Sequence, residues 1–205
     1  MPHLLLVAAH PDPDSFTLAL ARRMAAAATA AGATVTLHDL YRTAFDPRLT
    51  VAEARGQPSD DPLVTAHIHD LVTADALIVL HPNWWGGPPA LLKGWIDRVF
   101  APGAAYDFEK KIDEGGLPIP LLRTRAALIV NTSNTAEARE ATVFGDPLER
   151  MWRDCLLGFC GVQGIDRWVL RIIATSTPEQ RAAWLSDAEC RVTALLQALT
   201  SPRPA

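Results

Sequence analysis

Short apolar runs, each followed by a stretch with helical spacing, recur five times along this chain. Leu4–Ala9, Ala76–Leu80 and Ala126–Val130 are too short for helices and too continuously apolar for half-exposed strands. They read as strands buried on both faces. Thr34–His38, β-branched and alternating, and Arg167–Ile173 read as two more strands. Between them the spacing predicts helices over Phe16–Ala31, Pro62–Thr73, Ala90–Phe100, Pro147–Phe159 and Pro178–Leu199. In the first helix Phe16, Ala19, Leu20, Met24 and Ala27 share a stripe, and Gly32 can end it. Pro88 and Pro89 suit the first turn of the third. Five β-α units imply an α/β domain with a parallel sheet covered by helices on both faces. No linker or composition shift divides the chain, so residues 1–200 are read as one domain with a disordered tail at 201–205.

Composition narrows the function classes. Of 205 residues 49% are hydrophobic and 20% charged, a balance that supports a packed core rather than disorder. The net charge of -4, without a basic block, argues against nucleic-acid binding. Cys155, Cys160 and Cys190 are too few and wrongly spaced for a disulfide framework or a zinc knuckle, and read as buried thiols in a reducing compartment. The start lacks the features of a signal peptide, and no apolar run approaches the roughly 20 residues that cross a bilayer. A cytoplasmic protein without membrane insertion is the expectation.

In parallel sheets of this kind ligands sit beyond the carboxyl ends of the strands, where strand order reverses. The loop after the first strand, His10-Pro11-Asp12-Pro13-Asp14-Ser15-Phe16-Thr17, has neither a G-x-G-x-x-G nor a Walker pattern. Ser15 and Thr17, with free amides at a helix start, suit a phosphate. Asp14 or Ser15 also suits plain N-capping. His10-Pro11-Asp12 resembles the opening of the zinc-dependent N-acetylglucosaminyl deacetylases, but Pro13 stands where a metal-binding aspartate belongs. A phospho-accepting receiver domain needs an aspartate where His81 and Pro82 stand. After the third strand, His81-Pro82-Asn83-Trp84-Trp85-Gly86-Gly87 sets two adjacent tryptophans in a glycine-rich loop. Adjacent rings cannot share one core face, so at least one meets a flat ligand or a second subunit. His67 and His69, about 200° apart on a helix, cannot chelate one metal, and no metal site is expected.

At this point a resemblance becomes specific. Pro82-x-x-Trp85, then Pro89-Ala-Leu-Leu-Lys-Gly-Trp-Ile-Asp-Arg-Val-Phe100, is similar to the NAD(P)H:quinone oxidoreductase family, which includes ancillary flavoproteins of potassium-efflux systems. His10 followed by Ser15-Phe16 fits the same family, and the likeness spans roughly residues 3 to 170. The resemblance implies a flavodoxin-like three-layer sandwich with a five-stranded parallel sheet in the order 2-1-3-4-5. It implies a homodimer that binds FAD, with FMN the alternative, and uses NADH or NADPH to reduce a quinone or similar small acceptor by ping-pong hydride transfer. His10, Ser15, Phe16 and Thr17 would then contact the phosphate, and Pro82, Asn83, Trp84, Trp85 and Gly86 the isoalloxazine. Asn131, Thr132, Ser133 and Asn134, after the fourth strand, would face the pyrimidine end. A non-catalytic flavin-binding subunit of a membrane transporter is the other function the resemblance permits.

The chain also departs from the family. Asn131-Thr132-Ser133-Asn134 replaces a common Thr-Thr-Gly-Gly, and the usual downstream tyrosine and histidine are missing between Ala136 and Phe144. Arg139 is the nearby cation that could face a charged reduced flavin, or it is an exposed helix charge.

Overall fold

The computed structural model describes residues 1–108 and 117–200; the tail expected at 201–205 lies outside the described residues. The chain opens with β1 (His3–Ala8), α1 (Phe16–Ala30) and β2 (Thr34–Asp39). It continues through α2 (Val51–Ala54), α3 (Pro62–Thr73), β3 (Ala76–Pro82) and α4 (Ala90–Val99). Two short strands follow, β4 (Tyr106–Phe108) and β5 (Pro118–Pro120), then β6 (Ala126–Ser133). Next, α5 (Glu137–Arg139) runs into one wide turn at Glu140–Phe144, in which Gly145 N–H reaches the Glu140 carbonyl. Then α6 (Pro147–Arg150) runs into a second wide stretch at Met151–Gly158. The last elements are β7 (Gly164–Arg171) and α7 (Pro178–Ala198).

Five strands pair in parallel in the order β2-β1-β3-β6-β7. With the separate antiparallel pair β4–β5 set aside, this is the expected 2-1-3-4-5 order. Alternate strand residues point to opposite faces, so the apolar runs build two cores. Leu5, Val7, Leu77, Val79, Ala127 and Ile129 pack against Leu71 of α3, Trp95 of α4 and Trp152. Leu4, Leu6, Ile78, Leu80, Leu128 and Val130 pack against Leu20 and Met24 of α1 and Val192 of α7. Helix starts follow their caps: Ser15 for α1, Asp61 before Pro62 for α3, and a Thr177–Gln180 capping box for α7.

Several expectations are corrected. The buried face of α1 is Thr17, Leu18, Leu20, Ala21, Met24 and Ala28, rotated from the expected stripe because Phe16 leans onto Trp184 of α7. β3 and β6 run two and three residues past their apolar cores. β7 starts at Gly164 and ends at Arg171, so the expected Ile172–Ile173 lies beyond it. Only Cys160 is a buried thiol; Cys155 and Cys190 are exposed.

The segment between β2 and α3 is tied down rather than loose. Arg98 of α4, 4% exposed, donates to Glu53 (2.8 Å), to the Asp46 carbonyl (2.7 Å) and to Asp61 (3.4 Å). Beside it Gly94 lets the backbone pass, since a Cβ there would lie 2.3 Å from the Pro47 carbonyl oxygen. Beneath this segment His67, 1% exposed, accepts from Trp95 Nε1 (2.8 Å) and stacks on His38 at 3.7 Å. Burial, with His38 adding to it, holds the His67 imidazole down to about 4.

Candidate functional site

The order β2-β1-β3 makes the chain leave β1 to one side and return on the other, opening a crevice at the carboxyl ends of β1 and β3. Three loops meet there. The first, after β1, is strapped from outside by two arginines that the sequence reading missed. Arg22 donates to the Pro13 carbonyl through both Nη atoms (3.3 Å each), and Arg42 donates to the His10 (2.8 Å) and Pro11 carbonyls. Ser15 is the N-cap: its Oγ accepts from Leu18 N–H at 3.4 Å, which leaves its own O–H proton free to donate. As first-turn groups, the Phe16 and Thr17 amides have no partner within the helix. The Phe16 ring turns away onto α7, and the Thr17 hydroxyl shares a 2.9 Å hydrogen bond with that of Thr132. These groups fit a phosphate through backbone amides and Ser15, with no acidic residue in the first turn of α1. Asp12 and Asp14 bond one to the other within the loop, and His10 Nδ1 accepts from Asp12 N–H.

The second loop is a two-residue hairpin. Trp84 and Gly87 exchange both backbone hydrogen bonds at 3.0 Å, and the residues between them have positive φ: +57° at Trp85 and +73° at Gly86. Two positive φ values mark a type I′ turn, which favours Asn or Gly at both positions. Tryptophan is out of place there, and its side chain is fully solvent-exposed. Trp84 is half-exposed, its ring 6.1 Å from that of His10. The turn passes under Pro147, whose Cγ lies 2.8 Å from where a Gly86 Cβ would be.

The third loop departs furthest from expectation. Asn131, Thr132 and Ser133 are buried strand residues of β6, so the loop itself begins at Asn134. Asn131 pairs in register with His81 and holds it: Arg167 Nε donates to Asn131 Oδ1 (2.7 Å), so Asn131 Nδ2 donates to His81 Nε2 (2.9 Å). Trp152 Nε1 donates to the same nitrogen (3.0 Å), which puts the ring proton on Nδ1, hydrogen-bonded to the Pro82 carbonyl (2.8 Å). Burial brings the His81 imidazole down to about 4, the Pro82 bond opposing and Arg167 adding to the shift. Ser133 Oγ accepts from Thr135 N–H, and Asn134 Oδ1 from Ala174 N–H. Arg139 is exposed and lies over the Phe144 ring at 5.2 Å.

Between the second and third loops lies a cavity of about 500 Å³ lined by Asn83, Trp85, Gly86, Thr135, Glu140, Phe144 and Pro147. One wall is aromatic: Trp85, fully exposed, and Phe144, half-exposed. The lining is also polar, with the Asn83 amide and the buried Glu140 carboxylate. A planar ring with hydrogen-bonding edges fits this lining. Among the described residues no group of three or more histidine, cysteine or acidic side chains is placed to hold a metal. Likewise no helix there is long and apolar enough to cross a membrane.

Comparison with known proteins bears on this geometry. Residues 2–196 match a protein family described by its flavodoxin-like fold. The chain is 31% identical over 206 residues to ribosyldihydronicotinamide dehydrogenase [quinone] of Mus musculus, spanning 90% of this chain and 87% of that protein. It is 30% identical over 206 residues to an uncharacterized NAD(P)H oxidoreductase of Haemophilus influenzae, spanning 95% and 96%. Among solved structures, the NAD(P)H:quinone oxidoreductase from Methanothermobacter marburgensis superposes with a TM-score of 0.79 at 27% identity, covering 95% of this chain and 97% of that one.

Proposed function

Because the chain belongs to the NAD(P)H:quinone oxidoreductase family of flavodoxin-like proteins, we propose that it is a flavin-dependent oxidoreductase that takes electrons from NADH or NADPH and passes them to a quinone or similar small acceptor. The observation that carries this reading is the fully exposed Trp85 ring, held out on a strained turn beside a cavity that Asn83 and Glu140 also line. When bound, the flavin supplies the two-electron chemistry, and the chain supplies binding, orientation and field. Ser15 and the first amides of α1 would hold the phosphate; Trp85, with Asn83, would hold the ring. FAD is the cofactor we favour, on the spacing of His10 and Ser15-Phe16, with FMN the alternative. Donor and acceptor are expected to use one site in turn, giving ping-pong kinetics. We also read the protein as a homodimer, since Trp84, Trp85, Val143, Phe144 and Ile172 all expose apolar side chains.

The test is an absorbance spectrum of the purified protein, reconstituted with FAD or FMN if colourless. It is taken before and after anaerobic NADH and NADPH. Bands that bleach with a nicotinamide and return with a quinone support the reading. Flavin that binds but never bleaches supports the non-catalytic subunit, and no uptake refutes both. Trp85→Ala should lower flavin occupancy, and unchanged occupancy would remove Trp85 from the site.

A further inference from the structure

The Trp85–Gly86 turn is held by a residue far away in sequence. Asn83 Oδ1 accepts from Gly86 N–H (3.0 Å), and Asn83 Nδ2 donates to both Glu140 oxygens (3.0 and 3.2 Å). The two ends of an amide are not interchangeable. Turned over, Asn83 would set its oxygen against a carboxylate and its NH2 against an N–H. Glu140 therefore decides which way Asn83 faces, and Asn83 in turn holds the Gly86 amide. Glu140 is itself fixed: it is 1% exposed, it accepts from Arg171 Nη1 (3.3 Å), and it opens the wide turn that ends at Phe144. Glu140 is thus tied to both aromatic edges of the cavity, to the Trp85 turn by its carboxylate through Asn83 and to the Phe144 turn by its backbone carbonyl.

We propose that Glu140 is a positioning residue that, through Asn83, sets the Trp85 turn in the conformation that receives the flavin ring, an inference resting on the reading of this cavity as the flavin site. Its role is orientation, delivered through an acceptor oxygen, rather than charge. Because Glu140 acts only through the Trp85 turn, its loss costs at most what loss of the Trp85 ring costs, about tenfold in affinity.

The experiment titrates flavin-free protein with FAD and FMN by fluorescence quenching. Wild type, Glu140→Ala, Glu140→Gln, Trp85→Ala and the Glu140→Ala/Trp85→Ala double variant are compared. Glu140→Ala is expected to bind flavin more weakly by up to about tenfold. Glu140→Gln, which keeps an oxygen for Asn83, should lie closer to wild type than to Glu140→Ala. The double variant should bind no more weakly than Trp85→Ala, since both changes act on one turn. Full affinity in Glu140→Ala overturns the inference, as does a Gln variant as weak as the Ala variant, or losses that add. If Glu140→Ala does not fold, Asn83→Leu breaks the same link and enters the same cycle with Trp85→Ala. Wild type without flavin affinity, or Trp85→Ala with full affinity, removes the flavin site and this inference with it. Trp85-dependent binding that survives Glu140→Ala removes the inference alone.

Discussion

Replacing Trp85 by Asn should make the flavin-free protein more stable and the flavin complex weaker. Trp85 sits at φ +57° with its side chain fully exposed. A left-handed backbone costs a non-glycine residue about 1–2 kcal/mol. Asn tolerates it through its short polar side chain, and Asn-Gly is a favoured type I′ pair. No burial is lost with an exposed ring, so nothing offsets the relief and the gain should be about 1 kcal/mol. In a domain of this size that raises the melting temperature by about 2–4 °C. Stacking on an aromatic ring contributes about 0.5–1.5 kcal/mol beyond its area, so flavin affinity should fall about tenfold. Calorimetric melts with and without saturating flavin read both effects, because the stabilisation added by ligand shrinks with its affinity. A flavin-free variant that melts at or below the wild-type temperature would refute the strain. Equal flavin-induced shifts in the two proteins would refute the wall.

Three more predictions follow from packing and protonation. Gly94→Ala should cost about 1–3 kcal/mol of stability and so lower the urea midpoint, because its Cβ meets Pro47 at 2.3 Å; an unchanged midpoint would mean the segment gives way freely. His67 is neutral in the fold down to about 4 but titrates near 6.5 when unfolded, so the unfolded chain binds more protons between those values. Stability should fall as pH drops through that window, by at most about 1.4 kcal/mol per pH unit from this group. His67→Asn should show the shallower slope, and equal slopes would count against the assignment. A thiol reagent on native protein should react with Cys155 and Cys190 and spare Cys160, whose thiol burial pushes up to about 11; three reactive thiols under native conditions would contradict the packing of Cys160.

The apolar runs carried the fold. Leu4–Ala9, Ala76–Leu80 and Ala126–Val130 needed no context to be read as central strands, because burial on both faces requires an unbroken run. What failed was the polar end of β3 and of β6. Asn131 and Thr132 looked like a loop because the groups that satisfy them, Arg167, His81 and Thr17, lie far away in sequence. At the site, the tandem tryptophans and the hydroxyl-bearing start of α1 were legible from composition and place. Glu140 was not, since its partner Asn83 is 57 residues distant and nothing nearby marks it as buried. Thr50 and Glu53 did carry a readable sign, a capping box, in the segment between β2 and α3.

His81 already receives two N–H donors on one nitrogen and gives its only proton to the Pro82 carbonyl. Adding a second proton would set three donors facing one another beside the Arg167 charge. This imidazole is therefore electrically silent across the neutral range: acidifying or alkalising the solvent by a unit or two changes no charge on it, and the strand ends it ties together keep one hydrogen-bond pattern throughout.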